Sequence, residues 1–264
     1  MWFKLMINLE QTSGLPVGLS DDYKLKFEGG LPEVEFSARK FSDVQSVLMD
    51  PAAKSDREEM YFMYRDVHFT KDQEIIRANK IRYDITVIPP AKIGSEFTKT
   101  VGHYHSLISN SELAYPEAYE VICGHALFLI QKLNADGTVN DVIAIQAKAG
   151  DKVVYLPNYG HIIVNIGNEP LVTSNWVSDQ YTADYGSVAE KHGMAYYVVA
   201  EANGYKFVAN GNYGQVPAIK AMEAGQNPAA KLLPPGPMYP VGVSNPEKFE
   251  FLNNPEKYLE VLSS

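Results

Sequence analysis

The sequence predicts an all-β protein of jelly-roll type, a barrel or sandwich with a few short peripheral helices and extended terminal arms. Two observations lead there. Between about residues 82 and 200, short runs rich in Val, Ile, Tyr and Phe recur at hairpin spacing, punctuated by Pro, Gly and Asn. Beyond residue 205 glycine, proline and amide residues take over, as in Leu232-Leu233-Pro234-Pro235-Gly236-Pro237, which suits an arm that wraps a body and not a second core. A hydrophobic content of 45% over 264 residues is enough to fill one sizeable barrel.

In chain order, residues 1–60 are expected to form an N-terminal arm, 61–204 the barrel, and 205–264 an extension that wraps the barrel or a partner subunit. Turns at Gly14-Leu15-Pro16 and Gly29-Gly30-Leu31-Pro32 separate short extended stretches such as Lys24-Leu25-Lys26-Phe27. Ser42-Asp43-Val44-Gln45 has capping-box spacing and runs on to Val47 and Leu48 before Asp50-Pro51 stops it. A short helix is expected there. Residues 60–67 read as an aromatic-rich strand, with Arg65 and Asp66 serving either a site or a surface pair, and 70–73 as a turn or helical stub. Strands follow at 82–88, 97–105, 118–123, 126–130, 142–145, 152–156, 162–166 and 171–177. Near the C-terminus Asn-Pro-Glu-Lys occurs twice, at 245–248 and 254–257. Asn suits an N-cap, Pro the first helical position and Glu the first turn, so two short helical turns should dock Phe249, Phe251, Leu252, Tyr258, Leu259 and Val261 on the body.

The chemistry centres on Gly102-His103-Tyr104-His105. Side chains two apart on a strand share a face, so His103 and His105 project together. Glu117 opens a strand able to return alongside them, and the turn Pro157-Asn158-Tyr159-Gly160 delivers His161 to the start of another. Three imidazoles and a carboxylate suit one divalent first-row metal per subunit, drawn from iron, manganese, nickel, zinc and copper. The lack of thiolates argues against a Cys-type structural zinc site. His68, His125 and His192 stand alone and are expected to bind nothing.

Composition narrows the partners. A net charge of −9 opposes non-specific nucleic-acid binding, and no apolar run is long enough to cross a bilayer. The single cysteine, Cys123, precludes an internal disulfide and is expected to pack in the core. The first ten residues hold one lysine and meet Glu10 before any long apolar run, unlike a secretory signal, so a cytoplasmic protein is expected.

Thr98-Lys99-Thr100-Val101-Gly102-His103-Tyr104-His105 is followed by Pro116-Glu117-Ala118-Tyr119-Glu120, Gly124 and Gln131. Then come Val153-Val154-Tyr155-Leu156-Pro157, residues 161–165, Gly167-Asn168-Glu169-Pro170 and Asp184-Tyr185-Gly186. This ordered set resembles the cupin-type glucose-6-phosphate isomerases known from archaea and some bacteria. The resemblance implies a cupin barrel that interconverts glucose 6-phosphate and fructose 6-phosphate, a step of glycolysis and gluconeogenesis. It also implies a metal on His103, His105, Glu117 and His161, a homodimer, and a phosphate pocket at Thr86, Thr100 and Gly102, with Tyr119 lining the cavity. Strict alternation turns Thr100 and Gly102 away from the histidines, so a bulge at Gly102 is required. Either proton or hydride transfer between C1 and C2 needs a stabilised oxygen, which a metal with open positions provides. Glu117 is the candidate base, and Tyr119, Lys99 or a metal-bound hydroxide are the candidates for sharing the proton work. An iron dioxygenase, or a metal-dependent sugar-phosphate-binding protein without turnover, are the rival readings.

Overall fold

A computed structural model describes residues 6–262; the opening residues 1–5, part of the stretch weighed as a leader, lie outside the described residues. Ten strands build the two principal sheets: β1 (Phe36–Lys40), β2 (Glu59–Tyr64), β3 (Ile81–Ile88), β4 (Glu117–Cys123), β5 (His125–Leu133), β6 (Val139–Lys148), β7 (Lys152–Tyr155), β8 (Tyr159–Asn165), β9 (Leu171–Ser178) and β10 (Lys220–Glu223). The first sheet is antiparallel throughout, in the order β7-β4-β9-β3-β2-β1. The second runs β8-β5-β6-β10, its last pair parallel. Their inner faces share one core in which Tyr119 and Tyr155 of the first sheet meet Phe128 of the second.

The first sheet is buried on its outer face as well. Tyr64, Tyr83, Ile85, Val87, Ile122 and Trp176 point outward into a second core completed by Leu9, Leu15 and Val17 from the N-terminal region and Met238, Tyr239, Phe249, Phe251 and Leu252 from the C-terminal one. Trp176 anchors this layer: its indole N–H donates to the Met238 carbonyl at 3.0 Å, and its ring stacks on Tyr239. Alternation on β3 therefore sends Tyr83, Ile85 and Val87 to the arms and Arg82, Asp84 and Thr86 to the barrel interior, the reverse of a surface strand.

Several local expectations shift. The early helix is Phe41–Gln45, and its cap is the Asp43 carboxylate accepting the Lys40 N–H at 2.8 Å, in place of Ser42 and Gln45. Residues 97–105 do not form one strand: only Glu96–Phe97 and Tyr104–His105 are regular, because Gly102 takes φ +88 and breaks the ladder. Both Asn-Pro-Glu-Lys copies start 3-10 turns, Pro246–Leu252 and Pro255–Tyr258, yet neither asparagine side chain caps them. Phe249, Phe251 and Leu252 dock as expected, whereas Leu259 is 40% exposed and Leu262 is buried in its stead. Cys123, at the end of β4, is half-buried and packs against the outer core.

The C-terminal arm is pinned at one buried polar cluster. Glu120 accepts the Met238 N–H at 2.9 Å and faces the Lys152 ammonium at 3.7 Å, which in turn donates to the carbonyls of Pro234 and Gly236. Burial pushes the Glu120 carboxyl up to about 7, against 4.5 ordinarily. The folded chain thus keeps a proton that the unfolded chain gives up, so the stability this group contributes is full below about pH 4.5 and lost as pH rises through 7. Glu120→Gln, neutral throughout, should flatten the fall in melting temperature between pH 5 and 8 by an amount equivalent to roughly 3 kcal/mol. Parallel melting-versus-pH curves for the two proteins would contradict this.

Candidate metal centre

Three elements converge between the two principal sheets. Glu117 is the first residue of β4, held between Tyr155 of β7 and Val177 of β9. His161 lies on β8 in the facing sheet. The segment carrying His103 and His105 bridges the two: the backbones of His103 and His161 exchange hydrogen bonds of 3.3 and 3.1 Å, and His105 pairs with Ala183. One donor atom from each of His103, His105, Glu117 and His161 lies within 4.8 Å of every other. His103 is half-buried and the other three are buried.

The donor chemistry is that of a cation site. Glu117 Oε2 and both ring nitrogens of His161 are buried without a hydrogen-bond partner, a costly state unless something else satisfies them. The Tyr115 carbonyl lies 2.8 Å from His105 Nδ1, which sets the tautomer and leaves the Nε2 lone pair facing the cluster. Burial first, and then the neighbouring imidazoles, hold His103 and His161 well below the usual histidine range, so both are neutral and able to ligate. These residues fit a divalent first-row metal.

Packing fixes the candidate ligands from behind. His161 stacks on the Tyr155 ring at 3.8 Å, and Tyr104, between the two histidines, lies flat on Gly160. A β-carbon at residue 160 would sit 2.4 Å from the Tyr104 ring, whose hydroxyl is tied to Gln131 at 2.7 Å. Gly160→Ala should therefore shift the strand bearing His103 and His105 and weaken metal binding about 10–100-fold with little change in secondary structure. Competitive titration with a chelating dye checks this; unchanged affinity would show that the ring yields freely.

A small cavity adjoins the donors, about 50 Å³ in volume. Thr86, Thr100, Gly102 and Tyr119, all expected from the sequence, line it, together with Arg65. The turn at Gly102 is what lets this segment aim Thr100 and both histidines at one space. Lys99 is a correction: its ammonium is buried outside the cavity, paired with Glu96 and donating to the Val47 carbonyl at 2.9 Å, where it straps the early helix to the barrel. That removes Lys99 from the proton-transfer candidates. Sequence reasoning misses Tyr61, Asp84, Asn175 and Tyr181, and assigns no role to Tyr185. The alternation of Arg82, Asp84 and Thr86 against three apolar residues is the signal that could have found the carboxylate. Tyr181 covers His105 with ring centroids 4.1 Å apart, and burial raises its hydroxyl above the usual range.

Comparison with known proteins places this geometry. A family model described as glucose-6-phosphate isomerase matches residues 38–214 and so includes all four donors. The glucose-6-phosphate isomerase of Thermococcus litoralis is 32% identical over 181 residues, covering 67% of this chain and 88% of that one. That of Pyrococcus furiosus is 30% identical over 191 residues, with 71% and 93% covered. Among solved structures, Bacillus subtilis oxalate decarboxylase aligns with 50% of this chain and 29% of its own at 21% identity and a TM-score of 0.34, too partial to carry weight. With the match spanning most of the curated relatives and running through every residue of the donor cluster, the chain belongs to the glucose-6-phosphate isomerase family.

Proposed function

We propose that this protein interconverts glucose 6-phosphate and fructose 6-phosphate, using a divalent first-row metal held by His103, His105, Glu117 and His161. The observation that carries the reading is the set of buried donor atoms without hydrogen-bond partners, inside the region matched by the glucose-6-phosphate isomerase family model. Iron is the first choice of metal, with manganese, nickel or zinc as substitutes, since imidazole and carboxylate accept all four. When bound, the metal supplies Lewis-acid stabilisation of negative charge on the oxygens attached to C1 and C2.

The chain's own groups do the rest. Thr86, Thr100 and Gly102 line the cavity and are the groups assigned to the phosphate. Tyr119 sits two residues from Glu117 on the same face, fully buried, and its hydroxyl is held protonated by burial and by the Glu117 carboxylate. It is a donor that can orient Glu117 and return a proton to the sugar. Glu117, the carboxylate of the donor cluster, is the candidate to accept the proton from C2. A hexose phosphate needs more room than the present cavity offers, and Tyr181, whose ring covers His105, is the side chain to be displaced for it to enter. A homodimer in the cytoplasm is the proposed assembly and location.

Metal-reconstituted protein given fructose 6-phosphate under nitrogen should form glucose 6-phosphate, and chelation should stop it. Absence of turnover with each of the four metals would overturn the reading; turnover only with oxygen would replace it by the dioxygenase alternative.

A further inference from the structure

In a chain of net charge −9, three arginines on the inner side of the first sheet stand out. Two are committed to one carboxylate: Asp84 takes the Arg65 guanidinium at 3.0 Å and the Arg82 guanidinium at 2.9 Å. The third, Arg39 on β1, lies opposite Tyr61 in register and so faces the same interior as Met63 and Thr86. Its Nε is buried with no hydrogen-bond partner, and among the described residues no carboxylate is in ion-pair contact with it. Its guanidinium carbon is 4.9 Å from the centroid of the Tyr185 ring and lies beside the Tyr61 hydroxyl. That hydroxyl accepts the Val101 N–H at 3.3 Å, which places Arg39 next to the Thr100–Gly102 turn. Tyr185 is also 5.1 Å from the His103 ring, so one aromatic side chain separates the unpaired positive charge from the donor cluster.

We infer that Arg39 is the anion anchor of this site and binds the dianionic phosphate of the substrate while the histidine cluster holds the carbonyl end. The inference rests on the isomerase reading for the identity of the substrate. A planar guanidinium donates two parallel hydrogen bonds to phosphate oxygens, a geometry no other side chain supplies. Threonine hydroxyls and backbone N–H groups near Gly102 add neutral donors but no charge, so Arg39 sets the preference for a dianion over an unphosphorylated sugar. Tyr185, packed on the guanidinium, keeps it from swinging out to solvent.

The test uses the full chain loaded with manganese, comparing wild type with Arg39→Gln and Arg39→Lys. Binding of inorganic phosphate is measured by calorimetry, the KM and kcat for fructose 6-phosphate by assay, and metal content and circular dichroism in parallel. Arg39→Gln is expected to weaken phosphate binding and raise KM by roughly 10–100-fold, with kcat changed a few-fold at most and metal content intact. Arg39→Lys should fall between, keeping the charge but losing the fork, and serves alone if the glutamine variant fails to fold. Wild-type phosphate affinity and KM in a folded, metal-loaded variant would overturn the inference. If wild type binds phosphate through Arg39 yet turns over no sugar phosphate, the isomerase reading falls and the anion site stands. Turnover with unaltered KM in the variants would do the reverse, leaving the isomerase reading intact and removing Arg39 from the site.

Discussion

His161→Ala is expected to lose the metal and at least about 10³-fold of activity while the fold persists. Both nitrogens of this ring are buried without hydrogen-bond partners, each costing about 1–3 kcal/mol of desolvation when no ion is present. Removing the ring relieves that cost and opens a cavity beside Tyr155, two effects of opposite sign and similar size. The metal-free variant should therefore melt close to metal-free wild type. What it loses is the upward shift in melting temperature on adding metal, because binding to the folded state alone is what produces that shift. Glu117→Gln provides the contrast: its amide oxygen still coordinates, weakly, but accepts no proton. Saturating metal should refill the Glu117→Gln site without restoring kcat. Full metal content in His161→Ala would sink the ligand assignment, and a restored kcat in Glu117→Gln would leave Glu117 a ligand only, with the proton passed by another group such as Tyr119.

Removal of residues 238–264 should unfold the protein or leave it molten, although the region matched by the family model ends at residue 214. The deleted segment contributes Met238, Tyr239, Phe249, Phe251 and Leu252 to the outer core, and its loss bares Trp176 and Tyr83 on the sheet beneath. At about 1.5–3 kcal/mol for each buried side chain, the loss is on the order of 10 kcal/mol. That equals the whole stability of an ordinary domain, about 5–15 kcal/mol. The site itself would be untouched by the deletion, so a loss of activity would come through the fold. Dye binding to exposed apolar surface, and the absence of a cooperative melting transition, are the expected signs. A truncated chain that melts within a few degrees of the full one would show that the arm is dispensable.

Much of this protein is legible in its sequence. Short apolar runs at hairpin spacing determine a β-sandwich because residues that alternate every two positions can bury a face only against another sheet. The same periodicity puts His103 and His105 into one donor cluster, and Glu117 with Tyr119 shares a cavity wall for that reason too. What the sequence by itself does not determine is which face of each strand looks at what. On β3 the pattern of Arg82, Asp84 and Thr86 against Tyr83, Ile85 and Val87 reads equally as solvent against core; the terminal arms decide it, covering the apolar side and leaving the polar side to line the cavity. Lys99, three residues from a glycine turn in a motif full of ligands, has the look of a catalytic group, and only its contact with Glu96 and Val47 shows it to be a strap. Arg39 stands at the other extreme, in a stretch with no motif at all, brought to the site by strand register alone. Local periodicity is a property of the chain, whereas the partner of a face is set by contacts between residues far apart in sequence, and those exist only in the folded molecule.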